Sequence, residues 1–174
     1  MVLDVGCSDG RFAKQLVKHP IQYYGFDVME ERIKQAKIFF ISLPNFHFKH
    51  VNLRNSFYAN DNKGDAANFS FPYLDGVFDN VLCSSLFTHL GTEEIATNYM
   101  NNIKRVMKSG GLLYITFFTN PPNKIDQYDV TADNRTVYSM EFIDELTDGF
   151  SILHIEGGKT TFFNDQLKMI MRCQ

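Results

Sequence analysis

Short apolar runs alternate along this chain with stretches whose apolar positions recur at three- and four-residue intervals. The first kind suits buried strands and the second amphipathic helices, because side chains alternate across a strand but return to one helix face every ~3.6 residues. Val2–Val5 is an apolar run that ends in a glycine-rich turn, Gly6-Cys7-Ser8-Asp9-Gly10, and reads as a buried strand. Phe12, Leu16 and Val17 predict a helix over 11–18, closed by His19-Pro20, since the residue before proline is driven out of the helical region. A β-rich, aromatic second strand over 22–26 closes at Asp27. The next helix, over 30–41, carries Ile33, Ala36, Lys37 and Phe40 and stops at Leu43-Pro44-Asn45. Alternation of Phe46, Phe48 and His50, continued by Val51 and Leu53, predicts a third strand over 46–53.

The stretch 54–76 is rich in Asn, Asp, Gly and Ser with scattered aromatics. It predicts a long loop, of a length seldom kept without a task; a short helix around 65–68 is the plainer alternative. A fourth strand is expected over 78–84. Thr92 opens a helix as its N-cap, with Glu93 and Glu94 in the favourable first turn. Ile95, Tyr99, Ile103, Val106 and Met107 form its apolar face, and Lys108-Ser109-Gly110-Gly111 is a basic, glycine-bearing end. A fifth strand follows over 112–118. The polar stretch 120–135, with Pro121-Pro122, predicts a mobile loop. Ser139 caps a short helix over 140–146, and two last strands are expected over 150–156 and 166–172, their connection starting at Gly157-Gly158. Strands alternating with helices predict an α/β fold, a three-layer α/β/α sandwich with a seven-stranded, mostly parallel sheet. The closing pair of strands, with no helix between, makes the last strand antiparallel. One domain over 1–174 is expected.

Composition narrows the partners. Hydrophobic residues make up 44% and charged residues 21%, and the net charge is -3. No broad basic surface is implied, so a nucleic acid is not the favoured partner. Cys7, Cys83 and Cys173 include no C-x-x-C pair, which argues against a disulfide framework or a zinc site; no metal is expected. No apolar run approaches the roughly 18 residues of a membrane span, and the first residues lack a basic, signal-like segment. A reducing, cytoplasmic setting is the expectation, with no membrane partner.

In open α/β sheets ligands sit at the carboxyl ends of the strands. After the first strand, Gly6 permits a tight turn and close approach of a ligand to backbone, and Gly10 lets the next helix start close to the sheet. Backbone N–H groups there can receive a carboxylate, and Asp4 can receive an ammonium group. Asp27, ending the second strand, can accept hydrogen bonds from both hydroxyls of a ribose. An ordinary strand-to-helix turn and an N-capping aspartate are the plainer readings of these residues.

Three segments together resemble a known family. Val2-Leu3-Asp4-Val5-Gly6-Cys7 looks like the first motif of class I S-adenosylmethionine (SAM)-dependent methyltransferases, Phe78-Asp79-Asn80-Val81-Leu82 like their fourth-strand motif, and Ile103 to Gly111 like the helix and turn before the fifth strand. Ser84-Ser85-Leu86-Phe87-Thr88-His89-Leu90 resembles a subgroup of small bacterial enzymes, the type 11/12 methyltransferases of the Rossmann-like class. The resemblance implies SAM as cofactor and S-adenosylhomocysteine as product. It implies that the loop with Gly6, Cys7, Ser8 and Gly10 holds the methionine part, that Asp4 contacts the ammonium directly or through water, and that Asp27 binds the ribose. Val28 and Met29 would pack on the adenine, Asn52 and Leu53 would edge it, and Ser84 and Ser85 would lie near the transferred methyl. Asn52 stands where many relatives carry Asp, and Ser8 where glycine is commoner. His89 is the one candidate for a general base, and its ordinary pKa near 6.5 suits that task; packing or capping before the next helix is its plainer role. Phe57, Tyr58, Phe69, Phe71, Tyr73 and Tyr128 are candidates for lining an acceptor site or for core packing.

The implied reaction is methyl transfer to a small-molecule oxygen or nitrogen acceptor. A binding module that holds SAM or a nucleoside without turnover, and an NAD-dependent oxidoreductase, are the alternatives. Relatives usually carry helices ahead of the first strand, whereas here that strand follows Met1 directly. The domain is thus expected to lack the usual N-terminal cap helices, and a homodimer or other partner would cover that side.

Overall fold

The computed structural model describes residues 1–55, 58, 63–119, 128–130, 135–158 and 166–174, with residues 128–130 described by backbone alone. Among these, a sheet runs in the order β3-β2-β1-β4-β5, continued by β9 and then β8. The strands are β1 (Val2–Val5), β2 (Tyr23–Asp27), β3 (Phe46–His50), β4 (Phe78–Cys83), β5 (Met107–Thr119), β8 (Phe150–Glu156) and β9 (Leu167–Cys173). β1, β2, β3, β4 and β5 pair in parallel; β9 is antiparallel to β5 and to β8. These seven strands are the expected ones, and two further short strands bring the sheet to nine among the described residues.

Side-chain alternation divides the core in two. Leu3, Val5, Val81, Cys83, Leu113, Ile115, Phe117, Met169 and Met171 face one side, where α3 (Glu93–Val106) and α4 (Met140–Leu146) cover them. Val2 and Tyr23 face the other, against Ala13 of α1 (Ala13–Leu16) and Ile33 and Ala36 of α2 (Glu30–Phe39). The three layers follow from this opposition. Both expected caps form: Thr92 Oγ1 accepts from the Ile95 N–H at 3.3 Å and Ser139 Oγ from the Phe142 N–H at 3.1 Å. Each is worth about 1 kcal/mol to its helix.

Four expectations change. The first helix shrinks from 11–18 to Ala13–Leu16, flanked by turns. α3 ends at Val106 and Met107 already pairs with Phe78; the next pair is Asn80 with Leu112, so Lys108-Ser109-Gly110-Gly111 bulges from the edge of β5. Within the expected loop over 120–135, β6 (Tyr128–Val130) pairs antiparallel with β7 (Thr136–Tyr138), which pairs in parallel with the end of β5; the rest of that loop, except Arg135, lies outside the described residues. The stretch 65–68 is a turn, not a helix: Asp65 Oδ1 accepts from the Ala67 N–H at 2.9 Å.

The 54–76 segment is tied to α3 by three side chains at helical spacing. Asn98 donates to the carbonyls of Ala66 and Phe69, Asn102 Oδ1 accepts from the Phe71 N–H, and Arg105 donates to the carbonyls of Phe71 and Tyr73. Its polar backbone is thereby satisfied where it crosses the core. Phe69, Phe71 and Tyr73 pack among Phe26, Tyr99 and Phe78, so these three serve the core. Phe57 and the Tyr128 side chain lie outside the described residues.

Candidate functional site

At the carboxyl ends of β1, β2 and β4 lies a cleft of about 370 Å³, within the range of small-molecule sites. Its first wall is the turn after β1. Gly6 has φ of 78°, and a Cβ there would stand 3.1 Å from Leu86 Cδ1, so glycine is required for the loop to close under the cleft. Gly10 works one layer down: with φ of 80°, a Cβ would meet Phe40 Cε2 at 2.8 Å, where α1 is drawn against the sheet. The loop's N–H groups are mostly engaged within the protein. Gly6 and Cys7 donate to the Phe26 carbonyl, Ser8 to Asp27 and Gly10 to the Cys7 carbonyl. The expectation that this backbone receives a carboxylate therefore meets a loop in which the N–H groups of Gly6, Cys7, Ser8 and Gly10 are already engaged. The positive charge that the cleft offers here is the Arg11 side chain, with Arg32 of α2 beside it.

Asp27 faces the same cleft. Its Oδ2 accepts from the Ser8 N–H and its Oδ1 from the Met29 N–H, each at 2.8 Å. Backbone donors from two different turns thus fix the carboxylate plane, and the carboxylate keeps acceptor capacity for a ligand hydroxyl. Burial raises its pKa above the usual carboxylate value, against the lowering effect of the Met29, Ser8 and Val28 N–H groups. A half-buried acid with spare acceptor capacity fits a ribose diol. Beside it opens a second cleft of about 470 Å³, lined by Leu53, Ala66 and Ile95 and sharing Val28, Asn55, Leu90 and Tyr99 with the first. A nucleoside with its sugar on Asp27 has a recess next to it for its base, apolar along Val28, Leu53, Ala66 and Ile95 and polar where Arg54, Lys63 and Asp65 rim it.

The far end of the first cleft carries Ser84, Ser85, Leu86 and His89, which follow β4. Ser85 has φ of 56°, a left-handed conformation that costs a non-glycine residue roughly 1–3 kcal/mol and persists only where neighbours hold it. Its N–H donates to Thr116 Oγ1 on β5 at 2.7 Å. His89 lies in the short 3₁₀ turn Phe87–His89, with its ring 5.9 Å from that of Tyr58. Burial, aided by the Arg135 charge, lowers its pKa to about 4, so the expected value near 6.5 is corrected: this imidazole is neutral and only weakly basic near pH 7.

Of the residues expected in the site, Gly6, Ser8, Asp27, Val28, Ser84, Ser85 and His89 line the first cleft, and Leu53 lines the second. Asp4 does not reach either. It is buried on the α1–α2 side, its Oδ2 accepting from the Tyr23 hydroxyl at 2.5 Å, and burial raises its pKa to about 7. The alternation of β1 explains this: Asp4 shares a face with Val2, opposite Leu3 and Val5. The carboxylate that the loop does present is Asp9, bonded to Lys14 at 2.8 Å and held below the usual range by it. Cys7 and Gly10 are buried beneath the loop, Met29 supplies its N–H to Asp27, and Asn52 is exposed, its carbonyl accepting from the Gly64 N–H. Sequence reading passed over Arg11, Arg32, Asn55 and Tyr99 as cleft residues. Arg11 directly follows the glycine turn, a signal present in the sequence; Tyr99 belongs to the apolar face of its helix, packing on Phe69 and Phe71, and also lines both clefts.

The sequence matches the model of a family described as a methyltransferase domain over residues 3–115. Among solved structures, the chain is similar to a SAM-dependent methyltransferase from Methanosarcina mazei, with a TM-score of 0.73 and 16% identity over 99% of this chain and 91% of that one. It is similar to the (4+2)-cyclase SpnF, with a TM-score of 0.72 and 19% identity over 99% of this chain and 73% of that one. It also resembles magnesium protoporphyrin IX methyltransferase from Synechocystis PCC 6803, solved with bound SAM, with a TM-score of 0.66 and 18% identity over 100% of this chain and 70% of that one. At these identities the structural likeness establishes the fold, while the family match spans the glycine turn, Asp27 and the β4 motif together. The dinucleotide oxidoreductase alternative is thereby set aside. Matched over more than half its length, the chain belongs to the methyltransferase-domain family and is a SAM-dependent methyltransferase.

Proposed function

We propose that this protein methylates an oxygen or nitrogen atom of a small molecule bound at the Ser85 end of the cleft, with SAM lying along the wall from Arg11 to Asp27. The observation that carries this is the Asp27 carboxylate, fixed at the cleft by the Ser8 and Met29 N–H groups beside the Gly6 turn. In this reading Asp27 takes the ribose hydroxyls, and Val28 and Leu53 flank the adenine. Arg11 takes the carboxylate that the engaged loop N–H groups leave unmatched, and Ser84 and Ser85 border the methyl end.

SAM supplies, when bound, a methyl group on a cationic sulfur that leaves as a neutral thioether. The protein's task is to hold the acceptor in line with that bond and to keep water from competing. A neutral His89 suits the end of the reaction better than its start. Its pKa of about 4 makes it too weak to strip a proton from a neutral hydroxyl, but ample to take one from the strongly acidic cation left when a neutral oxygen gains a methyl.

Among the described residues no helix is long and apolar enough to cross a membrane. Cys7, Cys83 and Cys173 are buried free thiols, which supports a reducing, cytoplasmic setting as part of this proposal.

The test is incubation with SAM and a panel of small hydroxyl and amino compounds, reading S-adenosylhomocysteine formation, with Asp27→Ala as control. Product formed by the native protein and lost in the control supports the proposal. Cofactor binding with no turnover on any acceptor would turn the reading to a binding module.

A further inference from the structure

Ser8 and Ser85 are the non-glycine residues with left-handed backbone among those described. Ser8 belongs to the turn beside Asp27. Ser85 belongs to the opposite end, and its surroundings explain how it is kept there. Besides the N–H held by Thr116, its carbonyl accepts from Thr88 Oγ1 at 2.8 Å, and its own Oγ lies 3.1 Å from Nε2 and 3.2 Å from Oε1 of Gln166. Thr88 and Thr116 are buried and Gln166 is 8% exposed. None of the three lines the cleft, whereas Ser85 does. They come from the 3₁₀ turn, from β5 and from the residue before β9, so three separate parts of the chain converge on one strained serine. Strain that is over-determined in this way gathers at ligand clamps.

The chemistry of the cluster selects what it can clamp. A serine hydroxyl carries one donor and two lone pairs. With the Gln166 amide accounting for the hydroxyl hydrogen and one lone pair, a second lone pair remains for a donor in the cleft. The charged side chains lining the cleft, Asp9, Arg11, Asp27 and Arg32, all belong to the turn after β1 or to the β2–α2 unit. Leu86 and His89 follow Ser85 along the turn after β4, and the same cleft is lined by the rings of Tyr58 and Tyr99. We infer that Gln166, Thr116 and Thr88 are positioning residues that hold the Ser85 hydroxyl to receive the O–H or N–H of a neutral acceptor on an aromatic body. This rests on the methyltransferase reading above, which fixes which end of the cleft the acceptor occupies.

Phenol is the probe, with toluene as its counterpart lacking the donor, each titrated at millimolar concentration into protein saturated with S-adenosylhomocysteine. Phenol binding more tightly than toluene and shifting the Gln166 side-chain amide resonance is the expected result. Ser85→Ala and Gln166→Leu should each weaken phenol roughly 3–10-fold, the loss of one neutral hydrogen bond, with S-adenosylhomocysteine affinity changed less than twofold. Ser85→Gly guards against a folding artefact: glycine accepts this φ freely, so the thermal midpoint should hold or rise while phenol affinity falls. Equal binding of phenol and toluene, variants that bind phenol as the native protein does, or parallel loss of S-adenosylhomocysteine would overturn the inference. Failure of the native protein to bind S-adenosylhomocysteine would instead strike the cofactor reading, and the same phenol–toluene comparison on the cofactor-free protein would still decide the role of Ser85.

Discussion

The end of the cleft around Asp27 is assembled from neighbours in sequence: Ser8 and Asp27, whose hydrogen bond joins the two turns, are 19 residues apart. The end around Ser85 is assembled across the chain, its contact with Gln166 spanning 81 residues. The first is shaped by glycine turns and backbone donors, which one β-α-β unit can supply by itself. The second depends on where β5 and β9 bring isolated side chains beneath the turn after β4. A cofactor common to a family can be held by a local unit, while the part that meets the acceptor is free to vary with strands that arrive late in the chain. Perturbing the two ends should therefore produce different kinds of loss.

The largest effect is expected from Gly10→Val. Its side chain would require a left-handed β-branched residue and would press on Phe40 and Phe48. Overpacking and the backbone penalty together predict about 2–5 kcal/mol of destabilisation. Thermal melts and S-adenosylhomocysteine calorimetry should show stability and cofactor affinity falling together. Retention of both would mean that the first end is not locally built as described.

A few kcal/mol is also expected from the buried acid behind that loop. The Asp4 carboxyl has an ordinary pKa of 3.8 and a folded value of about 7. Between these, the unfolded chain releases a proton that the folded chain retains, so stability falls as pH rises from about 4 to about 7 and levels off above. Asp4→Asn should flatten that slope while keeping the Tyr23 hydroxyl bonded. A slope unchanged by the substitution would assign it elsewhere, Asp27 being the next candidate because its pKa is raised too.

The same contrast governs what could be read from sequence. The glycine turn, Asp27, the capping residues Thr92 and Ser139 and the succession of strands and helices along the chain were legible because each is a local pattern with a local cause. The β6–β7 hairpin was not: Tyr128–Val130 and Thr136–Tyr138 are three residues each, too short to show an alternation although Thr136-Val137-Tyr138 are good strand formers, and β7 is pinned by pairing with Phe118 and Thr119. Asp4 was read by its motif as a ligand contact, although strand alternation already placed it on the face of Val2. Gln166 could not be found at all, since nothing in its neighbourhood of sequence points to Ser85.

A middle-sized effect separates cofactor affinity from stability. Asp27→Asn keeps the size of the side chain but removes its charge, and hydrogen bonds to a charged partner are worth about 1.5–3 kcal/mol. S-adenosylhomocysteine should bind roughly 10–100-fold more weakly, with calorimetry as the measure. An unaltered affinity would remove Asp27 from the ribose and with it the observation on which the functional proposal stands.

The smallest effect belongs to His89, and its pH profile is sharper than its magnitude. With a pKa near 4, this histidine stays neutral from pH 5 upward. Turnover with a neutral acceptor should therefore be flat between pH 5 and 8 as far as His89 is concerned. An exposed histidine in the same role would lose activity below its ordinary pKa of about 6.5. His89→Gln retains a hydrogen-bonding side chain but cannot take up a proton at these pH values, and should lower kcat by less than about tenfold, because a weak base contributes little to the barrier. A large loss, or a native profile that falls below pH 6.5, would mean that acceptor binding draws His89 toward its protonated form. The acceptor would then bring a negative charge of its own, and the neutral character assigned to the Ser85 end would have to be given up.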